Sequence, residues 1–220
     1  MLILGFDPGG DGRFGWCVTE STSHGRLDLR ACAVANHAKG AVEAALESAR
    51  PLGEVKAAGI DSPLFWDTGG DRCVDQEIRK ALSALGAKNA GGTVQHVNSL
   101  RGACLVQGVL AAHLLRERLR DVRITETHPK ALLWLLKIAT RKFPATEVKI
   151  NHLRDFVESG LQVRTEHGRD AVLGAVAALA MIEKRKDWRN LYPQQRGAHI
   201  VAVVPNIEYW MPLAASSNVV

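Results

Sequence analysis

Acidic residues at the ends of apolar runs are the side chains in this sequence best placed to do chemistry. The run LILGF ends on Asp7 before Pro8-Gly9-Gly10, VKAAGI ends on Asp61 before Ser62-Pro63, and VRIT ends on Glu126 just before His128-Pro129. A fourth acid, Asp170, falls in the first turn of a helical pattern whose inner stripe continues through Leu173, Ala177 and Met181. Open α/β sheets put their sites at strand ends, so these acids can converge on one edge. Any one of them alone reads as a turn former or strand-end cap. Four at corresponding positions read as a cluster, and four carboxylates in one pocket repel one another. Such a cluster calls for divalent cations, Mg²⁺ or Mn²⁺, held by oxygen ligands. Two ions roughly 3.5–4 Å apart could activate water and stabilise the leaving oxygen of a phosphodiester. The catalytic and metal-ligating candidates are therefore Asp7, Asp61, Glu126 and Asp170. His128 and His167 lie within a few residues of them and are candidates for proton transfer or phosphate contact. Arg72, Arg79, Arg101, Lys130 and Arg169 are candidate nucleic-acid contacts, and Arg141, Lys142 and Lys149 could extend a path for a phosphate backbone.

The elements that must position these residues follow from periodicity and breakers. Leu2 to Asp7 and Arg13 to Glu20 read as two strands of a hairpin, whose glycine-rich turn lets the backbone take positive φ near a ligand. Arg26 to Val34 alternates apolar and polar residues, as a third, antiparallel strand does. Ala38 to Ala49 is alanine-rich with helical spacing and stops at Pro51 and Gly53. Residues 66–71 read as a loop. Arg72 to Leu85 reads as an amphipathic helix with Asp75 and Arg79 at i, i+4, the spacing of a surface ion pair. Residues 87–92 read as a flexible connection, and Asn98 or Ser99 can cap a helix from about Leu100 to Leu119. Pro129 starts a helix to about Ala139, Thr146 can cap another running to Glu158, and the last long helix spans about His167 to Lys186. Ala198 to Val204 is an expected extra strand.

Bulk composition narrows the setting. The 220 residues are 46% hydrophobic, enough for one substantial core but short for two. We expect one domain over residues 1–187 and a C-terminal extension, 188–220, packed on it. A formal charge of +5 and a pI of about 9.2 favour an anionic partner such as nucleic acid. The four cysteines lie far apart with no CxxC pair, as buried reduced thiols would. No run is long enough to span a bilayer, and no charged segment with an apolar core opens the sequence, so a cytoplasmic setting is expected.

These motifs, in this order, give the sequence its resemblance to known proteins. Asp7 with Gly15-Trp16, Ile60-Asp61-Ser62-Pro63-Leu64, Arg72-Cys73 with Asp75 and Arg79, Glu126-Thr127-His128-Pro129, and the His167-to-Ala180 helix with Asp170 resemble domain-of-unknown-function family 429. That family of predicted nucleases is similar to the ribonuclease H-like superfamily, which includes Holliday-junction resolvases. The resemblance covers about residues 1–185. It implies a five-stranded mixed sheet, its first three strands antiparallel, flanked by helices and with metal-bound acids at its centre. In the family, paired acids commonly precede the alanine-rich stretch, whereas here Gly168-Arg169 precedes the single Asp170. The expected activity is a metal-dependent nuclease acting on DNA or RNA. Two rivals stand beside it: a catalytically inert nucleic-acid-binding or scaffold protein of the same fold, and an actin-like or sugar-kinase-like phosphotransferase, against which the length of the chain argues.

Overall fold

The computed structural model describes residues 1–67, 70–97, 102–158, 161, 163–194, 201–202 and 206–213. Its first strand, β1 (Leu2–Pro8), is buried along its whole length. β1 pairs antiparallel with β2 (Phe14–Ser21), and β2 with β3 (Leu27–Ala35), which is the expected hairpin and third strand. Helix α1 (Ala38–Ala49) crosses to β4 (Val55–Ile60), which lies parallel to β1 on its other side. The next stretch holds a two-residue strand, β5 (Phe65–Trp66), then α2 (Cys73–Ala84), the short α3 (Ala90–Thr93) and α4 (Gly102–Arg118). β6 (Arg123–Glu126) then pairs parallel with β4 and leads into α5 (Pro129–Leu135). After β7 (Val157–Glu158) comes the longest helix among the described residues, α6 (Glu166–Glu183), and then β8 (Arg189–Asn190), β9 (Val201–Ala202) and β10 (Ile207–Met211).

The fold is a central mixed sheet flanked by helices, with the first three strands antiparallel as expected. The sheet has eight strands rather than five, in the order β7-β3-β2-β1-β4-β6-β10-β8. The added strands are short edge pieces and β10, which runs parallel to β6. The C-terminal segment thus enters the same sheet as the rest of the chain. β9 pairs with β5 away from it, inside the span expected as an extra strand.

Alternation along β1 divides the core. Leu2, Leu4 and Phe6 join Val42, Ala45, Ala111 and Leu115 of α1 and α4 on one face. Ile3 joins Ala171, Ala175 and Ala178 of α6 on the other. α6 is buried over nearly all its length and lies unusually close to the sheet. A Cβ at Gly5 would stand 1.8 Å from the Ala171 carbonyl oxygen, and one at Gly59 2.0 Å from that of Gly174. Glycine on the strands and small residues on the helix are what let the two backbones touch.

Four local expectations fail. The helix expected from Pro129 to about Ala139 stops at Leu135, and Lys137 beyond it takes a left-handed φ of 60°. The other three fail for a tertiary reason. Thr146 to Glu158 does not form a helix but two single 3₁₀ turns, Ala145–Glu147 and Ile150–Leu153, followed by β7. The Arg169 guanidinium takes the carbonyls of Ala145 and Val148, at 3.0 and 2.8 Å, the second of which a helix capped at Thr146 would use for its own ladder. Val157 and Glu158 are drawn onto the edge of β3 instead. Residues 87–92, expected as a flexible connection, close into α3, with Asn89 accepting from the Gly92 amide. The Asp75–Arg79 surface pair is absent: Asp75 turns inward to Arg72, and Arg79 pairs with Asp71. The caps expected at Asn98 or Ser99 lie outside the described residues.

Gly5→Ala should force α6 off the sheet. The expected loss is about 1–3 kcal/mol or more, as for overpacked cores, read as a lower urea midpoint at unchanged slope.

Candidate active site

β1 and β4 run parallel with Phe6 level with Ile60, so the next residue of each, Asp7 and Asp61, comes level at the same sheet edge. Asp170 arrives from α6, one turn in from its start, and the helix begins on a Thr165 cap whose hydroxyl accepts from the Gly168 amide. The three acids line one cavity of about 250 Å³, together with His128, Lys130, Glu166, His167 and Cys104. Glu166 and Cys104 were not legible from sequence as pocket residues. Neither sits in a motif of its own.

Glu126 does not join them. Parallel pairing puts it level with Ile60, one residue short of Asp61. There it is fully buried in an ion-pair cluster. Arg72 donates to both Glu126 carboxylate oxygens, at 2.6 and 2.9 Å, and to both Asp75 oxygens, at 2.9 and 2.7 Å. The Leu64 amide adds a further bond to Glu126 Oε2, and the guanidinium lies over the Phe65 ring at 4.2 Å. Arg72 is therefore sealed in the interior and cannot touch a nucleic acid. Arg169 is also buried. Its Nε donates to Asp170 at 2.8 Å while its Nη1 donates to both the Ala145 and Val148 carbonyls, so it too acts inside the protein. Arg79 is committed to Asp71 and the Val94 carbonyl. Lys130, paired with Glu166 at 3.2 Å and half exposed, is the candidate contact that stands at the pocket. Arg101 lies outside the described residues.

Each of the three pocket acids has an internal partner. His167 Nδ1 lies 2.5 Å from Asp7 Oδ2, His128 Nδ1 lies 3.5 Å from Asp61 Oδ1, and Arg169 holds Asp170 Oδ1. The second oxygen of each acid has no hydrogen-bond partner among the described residues.

Burial, with repulsion from Asp61, raises Asp7 to about 6 against the pull of His167. Burial also raises Asp170 to about 7, with Asp7 adding to the effect, and raises Asp61, to which Asp170 contributes. The same negative field reaches Cys104, whose thiol burial and Asp61 push up to about 12. His167 is raised first by its bond to Asp7. His128 is raised because Asp61 outweighs its burial, and Lys130 because Glu166 outweighs its burial.

Two acidic groupings could hold a cation, and their chemistry differs. Among the described residues, Asp75, Glu126 and His128 offer three ligand atoms all within 4.8 Å of one another. Every carboxylate oxygen of that group is already bonded to Arg72, so a metal there would have to displace a buried guanidinium. The oxygens of Asp7, Asp61 and Asp170 are spread more widely, each set against its own partner. Each of these acids still keeps an uncommitted oxygen at a cavity open to small ligands, and this all-oxygen set fits a divalent ion better.

Structural comparison finds the same fold in "Thermus thermophilus RuvC structure", at a TM-score of 0.50 and 16% identity, covering 84% of this chain and 97% of that one. "T. thermophilus RuvC in complex with Holliday junction substrate" aligns at 0.46 and 18% identity over 83% and 96% of the two chains. The likeness supports the ribonuclease H-like fold. No family model matches the sequence, so the narrower resemblance to family 429 gains no support, and no curated protein matches it either.

Two outcomes follow from these charges. Arg72→Met would leave two carboxylates buried without a cation. The expected loss is about 3–5 kcal/mol, seen as a fall of roughly 10 °C in melting temperature. The raised acids and histidines all bind protons more tightly folded than unfolded. Stability that they contribute fully below about pH 4 is lost as pH rises through about 6 to 7, the values of Asp7 and Asp170. The melting temperature of the metal-free protein should therefore fall across that range, and Mg²⁺ should raise it more at the alkaline end than at the acid end.

Proposed function

We propose that the chain is a divalent-metal-dependent hydrolase of phosphodiester bonds in DNA or RNA. The observation that carries this reading is the convergence of Asp7, Asp61 and Asp170, from two strand ends and one helix start, on a single cavity where they disfavour one another's ionisation. The ribonuclease H-like fold is consistent with it, as fold likeness alone.

In this reading Asp7, Asp61 and Asp170 hold Mg²⁺ or Mn²⁺ through their uncommitted oxygens. Glu126, assigned to Arg72, is left out of the ligand set. Bound there, the ion would supply Lewis-acid stabilisation of negative charge on the phosphate. The chain's own residues do the rest. Lys130, steadied by Glu166, attracts and orients the phosphate at the mouth of the cavity. His167, on the rim and part exposed, is oriented by the contact of its Nδ1 with Asp7, which leaves Nε2 as the ring nitrogen that would pass a proton to a departing oxygen. His128 fixes Asp61 from the interior side. The reading places the protein in contact with nucleic acid. No helix among the described residues is long and apolar enough to cross a membrane.

A second reading has a specific observation behind it. Arg169 already neutralises Asp170, and Arg72 absorbs Glu126, as in a protein of this fold that binds nucleic acid without cutting it. Metal separates the two. Incubation with branched, single-stranded and duplex DNA and RNA should give cleavage with Mn²⁺ and none with EDTA. Asp7→Asn should lower the rate by at least about 100-fold, ~2.7 kcal/mol of transition-state stabilisation, with the melting curve retained. If no substrate is cut and Mg²⁺ does not shift the melting temperature, the non-catalytic reading holds instead.

A further inference from the structure

Next to the acidic pocket lies a second cavity, of about 270 Å³, that shares Thr93 with it. Its walls carry Lys88, Arg141 and the half-buried indole of Trp134, and no carboxylate. We propose that this cavity is a nucleotide subsite that takes one unpaired base on Trp134 and its phosphate on Lys88 and Arg141. The proposal rests on the nucleic-acid reading above and extends it to a choice of substrate: a single strand, or an unpaired end beside the cut.

Three observations carry it. First, Trp134 lies four residues after Lys130 on α5, so the two share a helix face about 6 Å apart along the axis. A strand whose phosphate meets Lys130 would bring its neighbouring base to the indole. Second, one of the two basic groups, Arg141, is set in place. Arg141 Nε donates to the Gly86 carbonyl at 2.8 Å, which fixes the guanidinium plane and leaves its terminal nitrogens without partners among the described residues. The turn beneath it is closed by the Phe143 amide on the Thr140 hydroxyl and by the Thr140 amide on the Phe143 carbonyl. Third, the chemistry is complementary to one class of ligand. Two cations without an acid attract an anion, and a flat aromatic face offers a base a stacking surface. Duplex bases are already stacked on one another and cannot enter so small a space, whereas an unpaired base can.

The wall of this cavity depends on the same arginine that ended the expected helix. Arg169 holds the carbonyls of Ala145 and Val148, so the 140–148 loop that carries Arg141 is tied to the first turn of α6, next to Asp170. The subsite and the acidic pocket therefore keep a fixed spacing.

The test is binding of short fluorescein-labelled single-stranded and duplex DNA and RNA to the full chain carrying Asp7→Asn, so that nothing is cut. Trp134→Leu and the pair Lys88→Ala with Arg141→Gln, each placed in that background, should weaken single-strand binding by about tenfold. The basic pair should also flatten the salt dependence by roughly one unit of slope. Duplex binding should change far less. Because Trp134 also packs against the core, its variant is checked by its unfolding curve. If it fails to fold, the surface variant Lys88→Ala decides alone, by loss of single-strand affinity. Unchanged single-strand binding overturns the subsite, as does an equal loss for duplex. Cleavage by the chain with Asp7 intact is scored separately: Trp134-dependent binding without cleavage keeps the subsite and removes the hydrolase, and cleavage with unaffected binding does the reverse.

Discussion

Contact between the backbone of α6 and the backbones of β1 and β4 is the constraint on which the rest of this structure depends. Gly5 and Gly59 face the carbonyls of Ala171 and Gly174 at separations no Cβ could occupy. A helix held at ordinary distance from the sheet would carry its first turn away from the strand ends. Held this close, it brings Asp170 down beside Asp7 and Asp61, and His167 to within a hydrogen bond of Asp7. The glycines far from the chemistry thus decide the geometry of the chemistry.

A second theme is how the chain handles negative charge taken out of water. Burying a carboxylate is expensive unless a cation or a set of donors comes with it. The interior cluster solves this completely: Arg72 saturates Asp75 and Glu126 and stacks on aromatic rings. The pocket solves it partly. Each acid has one partner, His167, His128 or Arg169, and one oxygen left over, and burial and mutual repulsion keep the acids hard to ionise. Complete satisfaction belongs to scaffolding. Incomplete satisfaction at an open cavity is what leaves something for a ligand to do.

Arg169 links the two halves of that picture. From the sequence it is a cation that could meet a phosphate. In the fold it bonds Asp170 on one side and two loop carbonyls on the other, so it tunes the acid and shapes the loop at once. Replacing the helix expected at Thr146 to Glu158 with turns is the local consequence, since a carbonyl such a helix would use is already taken.

The sequence by itself determined the strand–turn–strand opening and the helices at Ala38–Ala49 and α6, while the ribonuclease H-like class of sheet was implied by a family resemblance and the acids Asp7, Asp61, Glu126 and Asp170 stood out only as candidates. Local periodicity and breakers govern those strands and helices, and they are written in neighbouring residues. Only tertiary structure decided that Glu126 meets Arg72, because no local pattern encodes which charged groups distant stretches of chain bring together. It alone also revealed that two arginines read as phosphate contacts are interior clamps, that Asp75 and Arg79 take separate partners, and that the sheet gains strands at its edges. Each of those outcomes depends on which groups meet across long stretches of chain, and for a buried charge the partner it meets settles its role.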